Sequence, residues 1–247
     1  MSKKPNILTI AGSDPLSKSG IMADFGVGYD LGANIFNSIT AINAQNNQEI
    51  RNILYLDRKI IKDQLEVIFS ANKIDLVKIG MVGNSSSVKE IIDFLTTKNI
   101  KIIFDPVIKA SNGYNLISSE AIAEIKLKLI ANCYLVTPNI YELEILSGIK
   151  IKNFDDIAKA VKNLKNFGVS NILVKGGHFQ EKSDKVLSFL FSDNKIIKLQ
   201  NKRLNKNCRG TGCMLSTAIA IFLGNNYNLL DAVKKSNKYV YHKIKSY

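Results

Sequence analysis

Short apolar runs alternate along the chain with longer segments in which apolar residues recur every three or four positions. The short runs have the length of buried strands, and the longer segments have the period of amphipathic helices. The predicted strands lie in NILTIAG, IFNSITAINA, IDLVKIG, IKIIFDP, CYLVTPN and VSNILVKGG, and the predicted helices span residues 21–31, 59–70, 87–97, 120–129 and 140–147. This alternation indicates a mostly parallel sheet that is covered by helices on both faces.

The last third of the chain has a different pattern. VLSFLFSDNKIIKLQNKRL predicts a hairpin that turns at Ser192-Asp193-Asn194, with two antiparallel strands at the edge of the sheet. A helix is predicted after the GTGC stretch, and the apolar spacing over residues 229–245 predicts a final helix that serves for packing.

Small, polar or charged residues follow nearly every predicted strand. In open α/β sheets, ligands bind beyond the carboxyl ends of the strands, so these residues are the first candidates for a site. They are Gly12-Ser13-Asp14, Ala44-Gln45-Asn46, Gly80-Met81, Asp105-Pro106, Pro138-Asn139 with Glu142, and Lys175-Gly176-Gly177-His178.

The stretch NCRGTGCMLSTAIA places two glycines around Thr211, directly before an apolar helix. Glycine allows backbone amides to turn toward an anion, and a helix N-terminus adds unpaired N–H groups and a positive dipole end. The spacing differs from a Walker A loop, and no lysine follows the second glycine. The stretch predicts a phosphate site made of backbone; the alternative is an ordinary turn in which Thr211 caps the helix.

Asp105, Glu142 and Lys175 are the candidate charged groups of this edge. Carboxylate oxygens suit Mg²⁺ together with phosphates and water, and a lysine ammonium can reach a phosphate as a point charge. The structural alternatives are that Asp105 caps a turn, that Glu142 interacts with a helix dipole, and that Lys175 is solvated.

The composition limits the class of protein. A chain of 247 residues with 46% hydrophobic residues is long enough for one large domain, which we expect to span 1–247. Three cysteines without a CxxC pair and two histidines argue against a disulfide framework and a zinc site. The N-terminus lacks a signal-peptide pattern and no apolar run has the length of a membrane span, so we expect a cytoplasmic protein that binds no membrane.

The net charge of +13 raises the question of nucleic-acid binding. The lysines are scattered at positions that correspond to the solvent faces of helices, so we expect no nucleic-acid partner.

The motifs together resemble the hydroxymethylpyrimidine and phosphomethylpyrimidine kinases of thiamine biosynthesis, which belong to the ribokinase-like superfamily. The resemblance covers residues 6–223 and is carried by TIAGSDP, SGIMADF, TAINAQN, KIGM, DPV, TPNIYE, LVKGGH and GTGCMLS, in the family's order. It implies a ribokinase-like three-layer α/β/α sandwich with a mostly parallel central sheet. It also implies an ATP- and Mg²⁺-dependent kinase that phosphorylates 4-amino-5-hydroxymethyl-2-methylpyrimidine and then its monophosphate, and that forms a homodimer.

The resemblance implies a role for each matching residue. The residues expected to surround the pyrimidine are Gly12, Asp24, Gln45, Met81 and Val107. Those expected near ATP are Asn139, Lys175, Thr211 and Gly212, and the acids on the magnesium side are Asp105 and Glu142. The catalytic group consists of Gly210, Thr211, Gly212 and Cys213.

Cys213 stands where sugar kinases of the superfamily carry a catalytic aspartate. An ordinary thiol with a pKa near 8.5 is about 3% thiolate at pH 7, so Cys213 is expected to be a modest base. The alternative is a small buried residue that only packs at the start of the helix.

Two stretches depart from the family's pattern. Leu16-Ser17-Lys18-Ser19-Gly20 replaces a glycine-rich loop, and Cys208-Arg209 replaces Thr-His before the GTG stretch. Lys18 adds a cation beside the expected pocket, where it either contacts the substrate's monophosphate or points into solvent. The guanidinium of Arg209 suits a phosphate.

Two other functions stay open. A pyridoxal or pyridoxine kinase shares the fold and the GTGC stretch, although Gln45 and Met81 favour the pyrimidine. A catalytically silent sensor would bind the pyrimidine or a nucleotide, but a pure binder needs few of the residues Asp105, Glu142, Lys175 and Cys213.

Overall fold

The computed structural model describes residues 3–110, 113–177, 183–204, 206 and 208–246. His178 and Asn207, which belong to two of the motifs above, lie outside the described residues. Within the described part the strands are β1 (Asn6–Ser13), β2 (Asn34–Gln45), β3 (Ile50–Tyr55), β4 (Leu76–Ile79), β5 (Ile102–Phe104), β6 (Leu135–Val136), β7 (Asn171–Gly176), β8 (Lys185–Ser192) and β9 (Lys195–Lys202). The helices are α1 (Gly20–Leu31), α2 (Arg58–Ala71), α3 (Ser85–Leu95), α4 (Ser119–Glu124), α5 (Ile140–Ser147), α6 (Phe154–Lys165), α7 (Thr211–Gly224) and α8 (Leu229–Ser246).

The described strands form a single sheet in the order β3-β2-β1-β4-β5-β6-β7-β8-β9. Neighbouring strands are parallel in the central part of this order, β2-β1-β4-β5-β6-β7. The strands at the two edges, β3 on one side and β8 and β9 on the other, pair in antiparallel fashion. The prediction of a mostly parallel sheet with an antiparallel hairpin at one edge is confirmed. The β8–β9 turn falls at Asp193 and Asn194, both with positive φ, as the sequence predicts.

Helices cover both faces of the sheet, which makes the three-layer α/β/α sandwich. Alternate residues of β1 show the division: Leu8 packs with the cluster under α2 to α6, and Ile7 packs with the cluster under α1, α7 and α8. Helix α7 is apolar on nearly all sides and is buried between the sheet and its neighbours. No helix in the described ranges is long and apolar enough to cross a membrane.

Three elements differ from the sequence prediction. Helix α6 was not among the predicted helices, although it buries Ile157, Ala160, Val161 and Leu164 on one face. Strand β3 was not predicted, because it lies at the edge of the sheet and exposes Arg51 and Asn52, which weakens its apolar pattern. The helix predicted over 120–129 is regular only in α4 and continues over Ile125–Leu129 as a wider turn of i to i+5 type.

Candidate active site

The loop after β1 and the start of α7 meet at the carboxyl end of the parallel strands. Gly20 and Gly210 both have positive φ, +59° and +76°. A Cβ atom at Gly20 would overlap the carbonyl oxygen of Gly12, and one at Gly210 would overlap that of Lys18. Two glycines therefore allow this loop and α7 to lie against each other.

A cavity of about 180 Å³ opens at this junction. All the predicted site residues line it except Asp24 and Thr211. The sequence prediction that the strand ends converge on one site is thus in agreement with the geometry. The lining residues with predicted roles are Gly12, Gln45, Met81, Asp105, Val107, Asn139, Glu142, Lys175, Gly210, Gly212 and Cys213.

One end of the cavity is formed by the ends of β1, β2 and β4. A Cβ atom at Gly12 would lie 3.1 Å from the sulfur of Met81, so Gly12 leaves this end open. The hydroxyl of Thr40 donates to the carbonyl oxygen of Met81 at 2.7 Å and fixes its backbone. The side chain of Gln45 lies near Asp14 and helps to lower the pKa of its carboxyl group.

Asp14 organises the loop that departs from the family's glycine-rich pattern. Its carboxylate accepts hydrogen bonds from the Ser19 hydroxyl at 2.6 Å and from the Leu16 amide at 3.0 Å. Burial alone would raise the pKa of Asp14, but these bonds and the nearby side chain of Gln45 lower it below its ordinary value. The Asp14 carboxylate thus fixes the conformation of a loop that lacks the family's run of glycines.

Asp24 does not line the cavity, contrary to the expectation that it surrounds the pyrimidine. Its side chain is fully buried, 2.8 Å from the ammonium of Lys78, and it accepts a 2.6 Å hydrogen bond from Thr217. Burial would lower the pKa of Lys78, but the carboxylate of Asp24 reverses this and raises it. Asp24 therefore joins α1 to β4 and α7 inside the protein.

The opposite end of the cavity holds a charged triad, in which Lys175 lies between Asp105 and Glu142. The ammonium of Lys175 lies 2.5 Å from Asp105 Oδ1 and 3.8 Å from Glu142 Oε2. The hydroxyl groups of Thr137 and Ser216 donate to Asp105 at 3.2 and 3.3 Å. Asp105 is thus anchored from three elements.

The triad distributes charge unevenly between its two acids. Burial opposes ionisation of Asp105, but Lys175 and Lys78 attract the charged form and lower its pKa. Burial raises the pKa of Glu142 to about 7, because Lys175 only partly offsets it and Asp105 adds repulsion. Lys175 itself has a raised pKa, since the attraction of both acids outweighs its burial, and it stays charged.

Asn139 and Glu142 also have a structural role. The Asn139 side chain accepts from the Glu142 amide, and the Glu142 carboxylate accepts from the Asn139 amide, both at 2.8 Å. This capping box starts α5 and aims the Glu142 carboxylate at the cavity. The structural alternative for Glu142 is therefore compatible with a role in the site.

The start of α7 closes over Lys175. A Cβ atom at Gly212 would lie 3.2 Å from the Lys175 ammonium, so only a glycine allows this approach without displacement. The helix begins after Gly210 without a side-chain cap. The alternative that Thr211 caps the helix is therefore wrong, and Thr211 does not line the cavity.

Cys213 lies in the first turn of α7 and is 8% exposed. Its sulfur accepts a hydrogen bond from the backbone amide of Gly20. Burial raises the pKa of the thiol to about 11; Lys78 opposes this, and Asp105 and Asp24 add to it. Cys213 is therefore more fully protonated at neutral pH than the ordinary thiol assumed from the sequence.

Three residues of the cavity were missed or left undecided by the sequence. Arg209 lines the cavity and donates to the carbonyl oxygen of Asn46 at 3.2 Å. Lys109 also lines it, with its ammonium 5.0 Å from the ring centre of Tyr141. Asn43 lines it two positions before Gln45, and the two-residue period of a strand could have indicated this.

The donor set suits a magnesium ion only in part. The described residues contain no cluster of three metal-binding side chains. Two carboxylates, Asp105 and Glu142, face the same cavity, and Mg²⁺ commonly binds through one or two carboxylates, with water and phosphate as its other ligands. These residues therefore fit a magnesium ion that arrives with a nucleotide.

The profile of the phosphomethylpyrimidine kinase family matches residues 14–247. The chain belongs to the phosphomethylpyrimidine kinase family. A hydroxymethylpyrimidine/phosphomethylpyrimidine kinase of Haemophilus influenzae is 34% identical over 244 residues, which cover 97% of this chain and 91% of that protein. A thiamine biosynthesis bifunctional protein of Geobacter sulfurreducens is 35% identical over 237 residues, and the present chain spans only 48% of its length.

Solved structures agree with this family. The phosphomethylpyrimidine kinase from Clostridium difficile 630 has a TM-score of 0.86 and 34% identity, with 98% of this chain and 100% of that chain covered. A pyridoxal kinase from Staphylococcus aureus, solved with ADP, has a TM-score of 0.89 and 25% identity, with 99% and 89% covered. The ribokinase-like fold expected for the phosphomethylpyrimidine kinase family is confirmed.

Proposed function

We propose that this chain transfers the γ-phosphoryl group of ATP to 4-amino-5-hydroxymethyl-2-methylpyrimidine and then to the monophosphate formed. One observation carries the proposal: a single cavity joins Gln45 and Met81 at one end to Asp105, Lys175 and Cys213 at the other. A ring bound at the first end directs its hydroxymethyl group toward the second.

The pyrimidine binds between small and polar groups. Gly12 leaves room for the ring, Met81 and Val107 contact its faces, and Gln45 pairs with a ring nitrogen. Gln45 lies near the Asp14 carboxylate, and this interaction favours one orientation of its amide before the ring arrives. An oriented amide loses less entropy on binding than a mobile one.

The nucleotide phosphates bind at the other end. Lys175 supplies a fixed positive charge, and the backbone amides of Gly210, Thr211 and Gly212 add donors at the start of α7. Asn139 lies beside Lys175, to which its backbone is bridged. Asp105 and Glu142 would hold the magnesium ion, which when bound neutralises charge on the phosphates.

The transfer step replaces one phosphorus–oxygen bond by another. The oxygen of the hydroxymethyl group attacks the γ-phosphorus in line, the bond to the β-phosphate oxygen breaks, and ADP leaves. The hydroxyl proton goes to the minor thiolate form of Cys213, which the amide of Gly20 and the charge of Lys78 stabilise against the opposing effect of burial. Lys175 and the helix amides stabilise the charge on the transferred group.

The second transfer needs space for a phosphate between the ring and the nucleotide. Arg209 borders the cavity and offers a guanidinium to that phosphate. Lys18 contributes its carbonyl oxygen to the contact with Gly210. Of the residues that differ from the family's pattern, Arg209 is the one that we expect to affect phosphorylation of the monophosphate.

Two further expectations accompany this function. We expect a homodimer, which sedimentation of the purified protein would distinguish from a monomer. The free thiols Cys133, Cys208 and Cys213 suit the reducing cytoplasm that the sequence predicts.

The function is tested by following ATP consumption with Mg²⁺ and three acceptors: the pyrimidine alcohol, its monophosphate and pyridoxal. We expect turnover with both pyrimidines. Turnover with pyridoxal alone would favour a pyridoxal kinase, such as the Staphylococcus aureus protein whose structure is similar to this chain. Binding of the pyrimidine without turnover would favour a silent sensor.

A further inference from the structure

The chain between β5 and α4 forms a hairpin beside the cavity. Its two arms are residues 107–110 and 113–117, and the amide of Leu116 donates to the carbonyl oxygen of Ile108 at 2.9 Å. Val107 on one arm and Leu116 on the other line the cavity. The placement of this hairpin therefore sets part of the wall against which the ring is proposed to bind.

Tyr55, at the end of the edge strand β3, bonds to the second arm of the hairpin. Its hydroxyl donates to the carbonyl oxygen of Leu116 at 3.2 Å, across 61 positions of sequence. Burial and the neighbouring Tyr114 raise the pKa of Tyr55, so the hydroxyl keeps its proton and is a donor at neutral pH. Tyr55 is not among the described residues that line the cavity, so it acts on a bound ring through Leu116.

The side chain of Tyr55 is fixed by the turn after β4. Gly83 in this turn has a φ of +80°, and a Cβ atom there would lie 2.6 Å from a carbon of the Tyr55 ring. Glycine therefore allows the tyrosine ring and the turn to lie in direct contact. The same turn carries Met81, which lines the cavity. Tyr55 thus packs between the turn that carries Met81 and the hairpin arm that carries Leu116.

We propose that Tyr55 is a positioning residue, which holds the wall formed by Val107 and Leu116 at the distance from Met81 that the pyrimidine needs. This inference rests on the proposed function and names a residue that shapes its ring pocket from outside. Without the hydroxyl, the Leu116 carbonyl loses its partner from β3 and the hairpin gains freedom to move. Binding of the ring must then restrict that motion, and the entropy lost lowers the affinity.

The test compares the wild type with Tyr55→Phe, which keeps the aromatic ring and removes only the hydroxyl. Calorimetry measures binding of the pyrimidine alcohol and, separately, of ADP. We expect the affinity for the pyrimidine to fall about two- to tenfold, the usual effect of losing one hydrogen bond. The affinity for ADP should not change. In turnover, KM for the pyrimidine should rise while kcat at saturating substrates stays at the wild-type level, because Tyr55 contacts no reacting group.

Tyr239→Phe is the matched control. It removes another tyrosine hydroxyl, which donates to Asp30 at 2.6 Å between α8 and α1, and neither residue lines the cavity. This variant should keep the wild-type affinity for the pyrimidine, even where its melting temperature falls. If the Tyr55 hydroxyl served only the stability of the fold, Tyr55→Phe would behave in the same way.

The outcomes distinguish this inference from the proposed function. An unchanged pyrimidine affinity in Tyr55→Phe, or an equal loss of affinity for the pyrimidine and for ADP, overturns the role of Tyr55. ATP-dependent turnover of the pyrimidine alcohol by the wild type would still support the kinase in that case. A selective loss of pyrimidine affinity in Tyr55→Phe, in a protein without turnover, would support the positioning role and contradict the kinase function.

Discussion

The ammonium of Lys78 and the carboxylate of Asp24 form an ion pair, 2.8 Å apart, in which both side chains are wholly shielded from solvent. Lys78 lies on β4 and Asp24 on α1, and Thr217 of α7 donates to the same carboxylate at 2.6 Å. The pair therefore connects three elements that carry the candidate active site. The family resemblance assigns Asp24 to the pyrimidine pocket. Because its carboxylate is buried and paired, Asp24 instead connects the elements around that pocket.

Breaking this pair should destabilise the protein strongly. Lys78→Met leaves the Asp24 carboxylate buried and unpaired, and we expect a loss of about 3–5 kcal/mol in the free energy of unfolding. The double variant with Asp24→Asn should recover part of that loss, which urea unfolding would measure. If the loss of unfolding free energy in the double variant equalled the sum of the losses in the two single variants, Lys78 and Asp24 would not stabilise each other.

Cys213→Ala should lower kcat about ten- to ten-thousandfold, the effect of losing a general base, with little change in nucleotide affinity. The Gly20 amide that bonds the sulfur belongs to the backbone, so the loop should keep its position. Turnover at the wild-type level would remove Cys213 from the mechanism, and nucleotide titration of the variant serves as the control.

The raised pKa of Cys213, about 11, gives the reaction a pH dependence. Well below this value the thiolate fraction increases about tenfold for each pH unit, so kcat of the wild type should rise steadily between pH 7 and pH 10. Cys213→Ala should lack this component. The two pH profiles, measured with saturating substrates, would be parallel if another group took the proton.

Gln45→Ala should weaken binding of the pyrimidine, because a ring nitrogen loses its partner in a buried site. The expected loss is about five- to a hundredfold in affinity, with nucleotide affinity unchanged. Calorimetry with each ligand separately would measure both. Equal pyrimidine affinity in the variant and the wild type would contradict the assigned pocket.

Gly210→Ala tests the contact between the loop after β1 and α7. The added Cβ overlaps the carbonyl oxygen of Lys18, and the backbone there has a φ of +76°, so the loop or the helix start must shift. We expect both stability and turnover to fall. Gly113→Ala is the matched control, since its φ of +91° is also positive but a Cβ atom there meets nothing within 4 Å. If Gly113→Ala lowered the melting temperature and Gly210→Ala did not, the close approach of Gly210 to Lys18 would not be needed for stability.

The sequence predicts the architecture well, because buried strands and amphipathic helices leave strong periodic signals. Strand β3 escapes prediction, since its exposed residues are set by its edge position in the sheet. The meeting of the strand ends at one cavity follows from the general rule for parallel sheets, without any alignment.

The sequence predicts the site less completely, because burial and pairing are properties of the folded chain. The motifs around Asp24 and Cys213 do not indicate how each side chain is buried. Only the tertiary structure shows that Asp24 pairs with Lys78 and that burial raises the pKa of the Cys213 thiol. Likewise, nothing local indicates that the hydroxyl of Tyr55 reaches the carbonyl oxygen of Leu116, 61 positions along the chain.

The most direct test of the central claim is the mass of the product formed from ATP, Mg²⁺ and the pyrimidine monophosphate. The proposed function predicts a pyrimidine diphosphate, formed in equal amount with ADP. Formation of ADP without the diphosphate, or an unchanged monophosphate where pyridoxal is phosphorylated under the same conditions, would contradict it.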